Sequence, residues 1–395
     1  MDTYHLKLTT LSPVFIGGRQ GNDLNQWKFF KDANNIYVID ELGLAKALKE
    51  TNKIEEFCNF VNKNSQDGLQ RFLSDNKYLG KEKSALAKYS FTSDNPEFPS
   101  SSSIKTCVKD KFLVPYVPGS SIKGFIRTAL LYDFLDTIKT ADKGRFVKLV
   151  NESIDSAKNN KKADDKIIAE TISAFAKENE EQSYWDILKA IKISDAYAKD
   201  KSVSNIVKGY NVRVFQSHPI SISVEGIKDN VEFNFDVEID YFMVEQLKEQ
   251  LKEELKKERE HNTDEIILSY LDKIGAKFQL NNLLAICKKF SSKIIEKEKI
   301  YASSNRFNEI SKFYNTIENS PNLIRVGYGS GLLSTTIYLL LEPEQLENVK
   351  ERFFRHSRER NEFPKTRRYI VDNEKTPYLP FGWCSIEEVK DGREK

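Results

Sequence analysis

Residues 221–242, SISVEGIKDNVEFNFDVEIDYF, alternate apolar and polar side chains on both sides of Lys228-Asp229-Asn230. A period of two puts every second side chain on one face of a sheet, so this stretch predicts a β-hairpin with a short turn. The chain is thereby committed to a half-buried sheet. The helical period appears in VPYVPGSSIKGFIRTALL, residues 114–131, where Ile122, Phe125, Ile126, Ala129 and Leu130 recur behind a Pro-Gly-Ser-Ser turn. Sheet and helix within one chain predict an α+β fold.

Weaker signals fill in the order. Tyr4, Leu6 and Leu8 alternate as a first strand, LSPVFIGG breaks it, and WKFFKDANNIYVID reads as two short strands around an Asn-rich turn. ELGLAKALKE begins a helix, and residues 51–110 are polar enough to be a helical or loose insertion. Residues 140–183 form a second, highly charged insertion, after which YWDILKAIKISDAYAK runs from helix into a buried strand at Ile191–Ile193. Leu247, Leu251 and Leu255 stand four apart on an otherwise charged helix, the pattern of a solvated helix with one seated edge. A glycine turn, RVGYGSGLLSTTIYLLL, follows further helices, and no internal repeat of 20–50 residues is visible.

With 395 residues there is chain enough for roughly two to three domains. Sixty-one basic residues against fifty-nine acidic ones leave a net +2, so any surface attractive to nucleic acid has to be local. One such stretch is residues 351–369, with seven Lys/Arg against three acids. Cys58, Cys107, Cys287 and Cys384 have neither C-x-x-C spacing nor nearby histidines, so buried free thiols are expected rather than zinc or disulfides. No signal-peptide run and no apolar stretch of membrane-spanning length is present, and a soluble, cytoplasmic protein without membrane contact is expected.

The helix after Pro118 poses an electrostatic question. A helix N-terminus favours carboxylates, yet the first charges here are Lys123 and Arg127, and the first acid is Asp133. A cation near that end costs roughly 0.3–1 kcal/mol. Ser120 or Ser121 suits the N-cap, and an external phosphate bound by the turn's N–H groups, Ser120, Ser121, Lys123 and Arg127 would remove the conflict. The plainer alternative is a capped helix with solvated bases. Gly327, Gly329 and Gly331 let a backbone approach a ligand closely, but Leu332 and Leu333 follow where a nucleotide P-loop needs Lys-Ser/Thr.

Taken together, SPVFIGG, YVPGSSIKGFIRTAL, ISDA, RVGYGSGLLSTT and PKTRRYI with PYLPFGW resemble the RAMP superfamily of CRISPR effector proteins. Their order resembles most closely the type III-A subunit that sits at the crRNA 3′ end. The resemblance implies a ferredoxin-like, RRM-related core, two such units in all: residues 1–200, with insertions at 51–110 and 140–183, and residues 201–395, with a helical insertion at 243–318 and a basic C-terminal segment. It implies crRNA contacts at Gly119, Ser120, Ser121, Lys123 and Arg127 and at the glycine-rich loop Gly327, Tyr328, Gly329, Ser330 and Gly331. Arg367 and Arg368 in the basic stretch, and Arg19 in the N-terminal loop beside the target strand, are further RNA candidates, with a neighbouring subunit as the other reading of the basic stretch. The implied partners are crRNA, target RNA, the other subunits of the complex with the backbone RAMP subunit foremost, and a host nuclease that trims crRNA. No cofactor is implied.

Related backbone subunits cut target RNA with an aspartate of the N-terminal loop. Here Asp23 is in that loop, but the aligned position falls near Gln26. Asp195 in ISDA reads as a turn or cap residue rather than a metal ligand. His5, His218, His261 and His356 form no acid–base or ligand pattern. The expectation is a non-catalytic RNA-binding subunit that caps the filament. The alternatives are a metal-dependent endoribonuclease, through Asp23 or with Tyr328 as a crRNA-processing residue, and a scaffold whose basic helix end meets another protein.

Overall fold

The computed structural model describes residues 1–18, 23–63, 68–156, 187–215, 219–257, 265–353 and 366–389. Sixteen strands lie among them: β1 (Asp2–Thr10), β2 (Leu24–Asn25), β3 (Phe29–Asp32), β4 (Asn35–Ile39), β5 (Ala87–Thr92), β6 (Ser103–Lys105), β7 (Tyr116–Val117), β8 (Ile191–Ile193), β9 (Ala196–Ala198), β10 (Val207–Phe215), β11 (Ile220–Ile227), β12 (Glu232–Ile239), β13 (Leu323–Arg325), β14 (Arg367–Val371), β15 (Pro377–Pro380) and β16 (Trp383–Glu388). They build two sheets. The first runs β13-β16-β1-β12-β9-β7, with β8 also on β12; the second runs β2-β6-β11-β10-β5-β4-β3, with β14 on β10 and β15 on β14.

β1 sits mid-sheet because its alternation buries Leu6 and Leu8, and it pairs antiparallel with β12 from Asp2↔Ile239 to Thr9↔Glu232. β11 and β12 are both strands, as their alternation predicts, but they do not form a hairpin. β11 pairs with β10 and β6 in the second sheet, and β12 with β1, β8 and β9 in the first. The turn between them hands the chain from one sheet to the other. Thr10 pins it there: its hydroxyl donates to the Lys228 carbonyl at 2.7 Å and accepts from the Val231 N–H at 2.9 Å. The end of β11, Val224–Ile227, is buried on both faces, which a two-stranded ribbon facing water could not achieve.

The expected insertion at 51–110 ends sooner. Helices Ile54–Asn62 and Gly68–Asp75 pack Phe57, Phe60, Leu69, Phe72 and Leu73 on Phe30 and Ile39, in a small core of their own. From Ala87 the chain returns as β5 and β6 of the second sheet, with Phe91 and Ile104 in the main core. Of 140–183, helix Lys143–Ser156 is described and buries Phe146, Leu149, Val150 and Ile154; residues 157–186 lie outside the described residues. The expected insertion at 243–318 supplies core rather than periphery. Phe290 of helix Leu280–Ser304 meets Phe125 of helix Gly119–Ala141 with ring centroids 5.5 Å apart. Residue 200 does not divide the sheets, since each takes strands from both sides of it.

Leu247 packs against the main core, while the side chains of Leu251 and Leu255 lie outside the described set. Cys107, Cys287 and Cys384 are buried free thiols, but Cys58 is exposed. No helix among the described residues is long and apolar enough to cross a membrane.

Candidate nucleic-acid interface

The carboxylate missing from the start of helix Gly119–Ala141 comes from elsewhere in the chain. Asp195 Oδ1 accepts the Gly119 N–H at 2.8 Å, so ISDA supplies a cap from 76 residues away. The expected serine cap is corrected: the N-cap is Pro118, which makes no side-chain cap bond, and Ser120 and Ser121 lie within the first turn. Lys123 is explained in the same way. Its ammonium donates to the Ile191 carbonyl at 2.7 Å and ties the helix to β8. An external anion is therefore not needed to reconcile Lys123 with the helix dipole. Gly119 is required for close approach, because a Cβ there would stand 2.3 Å from the Ile193 carbonyl oxygen and 2.5 Å from that of Ser194. Arg127, one turn beyond Lys123, is half-buried. Asp195→Ala is expected to cost about 0.5–2 kcal/mol, the range for a lost helix cap, read as a shift in the urea midpoint at constant slope.

The glycine turn after β13 is the centre of a knot of loops. Gly327, Gly329 and Gly331 have φ of 77°, 87° and 68°. The Tyr328 N–H donates to the Phe15 carbonyl at 2.7 Å, Val326 N–H to Gly382 O at 2.8 Å and Gly382 N–H to Pro13 O at 2.9 Å. SPVFIGG, RVGYGSG and LPFGW thus meet as one unit. The Ser330 hydroxyl closes the turn on Gly327 O at 2.7 Å, and Arg325 reaches back from β13 to Gly329 O at 3.0 Å and Phe381 O at 3.1 Å. Tyr328 packs edge-on to Phe15 and Phe381, with centroids 5.6 and 6.3 Å away.

β14 splits the Arg367–Arg368 pair, because neighbouring strand residues face opposite sides. Arg367 points inward and is 8 % exposed. Its Nε donates to Glu298 Oε2 at 2.9 Å, and its guanidinium lies 4.4 Å from the centroid of Tyr301. Burial works against that charge, but Glu298 and Tyr369 outweigh it and hold the Arg367 pKa above its ordinary value. The expectation of a guanidinium presented to RNA is corrected for Arg367: its charge is spent inside. Arg368 points the other way, over the Tyr328 ring at 5.0 Å. Its Nε is buried without an acceptor among the described residues. A cation over an aromatic face, beside a turn of three glycines, is suited to a phosphate and a stacked base.

The two anchors seen in the sequence are brought to opposite edges of the first sheet. β7 leads into Gly119 at one edge and β13 into Gly327 at the other, five strand spacings or roughly 24 Å apart. Arg19 lies outside the described residues, as do His218, His261, His356 and most of the basic stretch. Arg352 from that stretch donates to Asp155. Asp23 is exposed and 3.6 Å from Lys105, and His5 pairs with Asp236 at 2.7 Å. Among the described residues no three His, Cys, Asp or Glu side chains converge as a metal site requires. Sequence reasoning missed Arg325, Phe15 and Phe381, whose roles arise only from loop contacts.

Comparisons with known proteins agree on one family. The family model described as the RAMP superfamily matches residues 7–334. A Methanocaldococcus jannaschii protein named CRISPR system Cms protein Csm5 is 25 % identical over 355 residues, covering 86 % of this chain and 74 % of its own. A Streptococcus thermophilus protein of the same name is 26 % identical over 245 residues, covering 60 % and 63 %. The fold matches a chain of the cryo-EM Csm–crRNA–target RNA ternary complex of a type III-A CRISPR-Cas system, with TM-score 0.75, 24 % identity and coverage of 98 % and 100 %. It also matches crystalline T. onnurineus Csm5, with TM-score 0.68, 23 % identity and coverage of 96 % and 99 %.

Proposed function

We propose a function on one premise: the chain belongs to the RAMP superfamily. On that premise it is a non-catalytic crRNA-binding subunit of a type III-A Csm effector complex, capping the backbone filament at the crRNA 3′ end. Support comes from the relatives named Csm5 and from the fold shared with a chain of a Csm–crRNA–target RNA complex. One observation carries the reading to residues: the half-buried Arg368 lies over the Tyr328 ring at 5.0 Å, beside the glycine turn. In this reading Arg368 contacts a guide phosphate, Tyr328 offers its ring to a base, and the N–H groups of Gly329 and Gly331 line the backbone. Ser120, Ser121 and Arg127 serve as a second, separate contact along the strand, whereas the Gly119 N–H is taken by Asp195 and Lys123 by the Ile191 carbonyl. Phosphate and stacking contacts do not read bases, which suits a subunit that must accept any spacer.

The backbone RAMP subunit is the neighbour in the filament, target RNA pairs with the bound guide, and a host nuclease trims the guide up to the cap. Reconstituting the effector complex with and without this chain tests the cap, with crRNA sized on a denaturing gel. Discrete guide lengths are expected only when the chain is present; the same lengths without it would overturn the role. Supplying divalent metal and target RNA tests the nuclease alternative, and cleavage abolished by Asp23→Ala would replace the non-catalytic reading.

A further inference from the structure

Behind the glycine turn lies a carboxylate with no contact to the proposed RNA surface. Glu298 is 1 % exposed, on the face of helix Leu280–Ser304 that also buries Cys287, Ser291, Ile294, Ile295 and Ala302. Its Oε1 is 3.5 Å from Arg325 Nη1, and its Oε2 accepts from Arg367 Nε at 2.9 Å and the Tyr369 hydroxyl at 3.3 Å. We propose that Glu298 is the positioning residue of the RNA-binding turn, holding Arg325 against the Gly329 and Phe381 carbonyls and Arg367 in register beside Arg368. The inference rests on the reading of that turn as the RNA contact.

The geometry of guanidinium makes this more than a neutralised charge. Its donors form a rigid planar fork, so fixing one edge aims the other. Arg325 Nη1 makes no hydrogen bond among the described residues and faces Glu298 as an ion pair at 3.5 Å, while Nε and Nη2 donate to Phe381 O and Gly329 O, in two different loops. Two turns earlier on the same helix face, the Ser291 hydroxyl donates to Leu323 O at 2.7 Å and fixes the start of β13. The helix therefore holds both the strand and the turn that follows it. Arg367 is gripped by the same carboxylate, and its neighbour in β14 is the arginine over Tyr328. One buried group thus sets the two halves of the site, Tyr328 and Arg368, relative to each other.

Glu298→Gln tests this in the assembled complex, since it keeps the volume and one acceptor while removing the charge. Amide exchange over residues 326–331 is expected to accelerate about tenfold or more while the β1–β12 ladder is unchanged, and guide retention to fall with it. Unchanged exchange at 326–331 would overturn the proposal. Tyr369→Phe removes one hydrogen bond to the same carboxylate while leaving both Glu298–arginine ion pairs in place, and is expected to leave exchange and guide retention as they were. An equal loss from that variant would reduce Glu298 to ordinary core packing and overturn its special role. If Arg368→Ala leaves the guide bound while Glu298→Gln still loosens the turn, the RNA reading fails and the positioning role stands.

Discussion

Glu298→Ala is expected to destabilise the fold by about 3–5 kcal/mol, the scale for breaking a buried ion pair by removing one partner. The large figure follows from what is left behind. Arg325 and Arg367, 2 % and 8 % exposed, would remain as two desolvated cations with no carboxylate between them. Replacing all three residues, Glu298→Leu with Arg325→Met and Arg367→Met, is expected to recover only part of the loss, because apolar groups remove the unpaired charges but leave the Gly329 and Phe381 carbonyls without their Arg325 donors. Recovered stability without recovered guide binding would separate the cluster's positioning role from its contribution to folding. Urea unfolding measures both variants, and a cost below about 1 kcal/mol for Glu298→Ala would contradict the burial of the triad.

Gly327→Ala is expected to cost about 2–4 kcal/mol, from positive-φ strain and overpacking together. At φ 77° a Cβ would stand 2.5 Å from the Phe15 carbonyl oxygen and 2.8 Å from Ile16 Cγ1. That carbonyl accepts the Tyr328 N–H, so it cannot move without opening the knot. Gly331→Ala is the internal comparison. Its φ of 68° is similarly strained, but nothing lies within 4 Å of the added methyl, and about 1–2 kcal/mol is expected. Thermal melts of the two variants give the close-approach contribution by difference; equal losses would remove it.

Local periodicity was sufficient where a segment's partner is its own neighbour. β3 and β4 pair across the Asn-rich turn, ELGLAKALKE forms a helix capped by Asp40, and the apolar stripe from Ile122 to Leu130 is buried. It failed where pairing is distant. The two strands around Lys228–Asn230 alternate like a hairpin, but alternation specifies a buried face and not which strand lies alongside. The cations after Pro118 raised a sound question whose answer, Asp195, is a chain reversal away. Arg367 and Arg368 read alike as letters, and only the direction each faces from β14 sends one inward and one toward Tyr328. Glu298 sits in the charged run KIIEKEKI, which hides it, although its spacing from Ile294, Ile295 and Ala302 places a carboxylate on an apolar helix face. That spacing was the available signal.

In the proposed reading, Arg368 and Tyr328 hold the guide at the glycine turn. The most direct measurement is crRNA retention by reconstituted complexes carrying Arg368→Ala with Tyr328→Ala, compared with the unaltered chain for several unrelated spacers. Losing a stacked base and a phosphate contact is worth about 1–3 kcal/mol or more, so retention is predicted to weaken roughly ten- to a hundredfold, equally for every spacer, with the chain still incorporated. Unchanged retention with full incorporation would contradict this reading and move the RNA contact away from the turn.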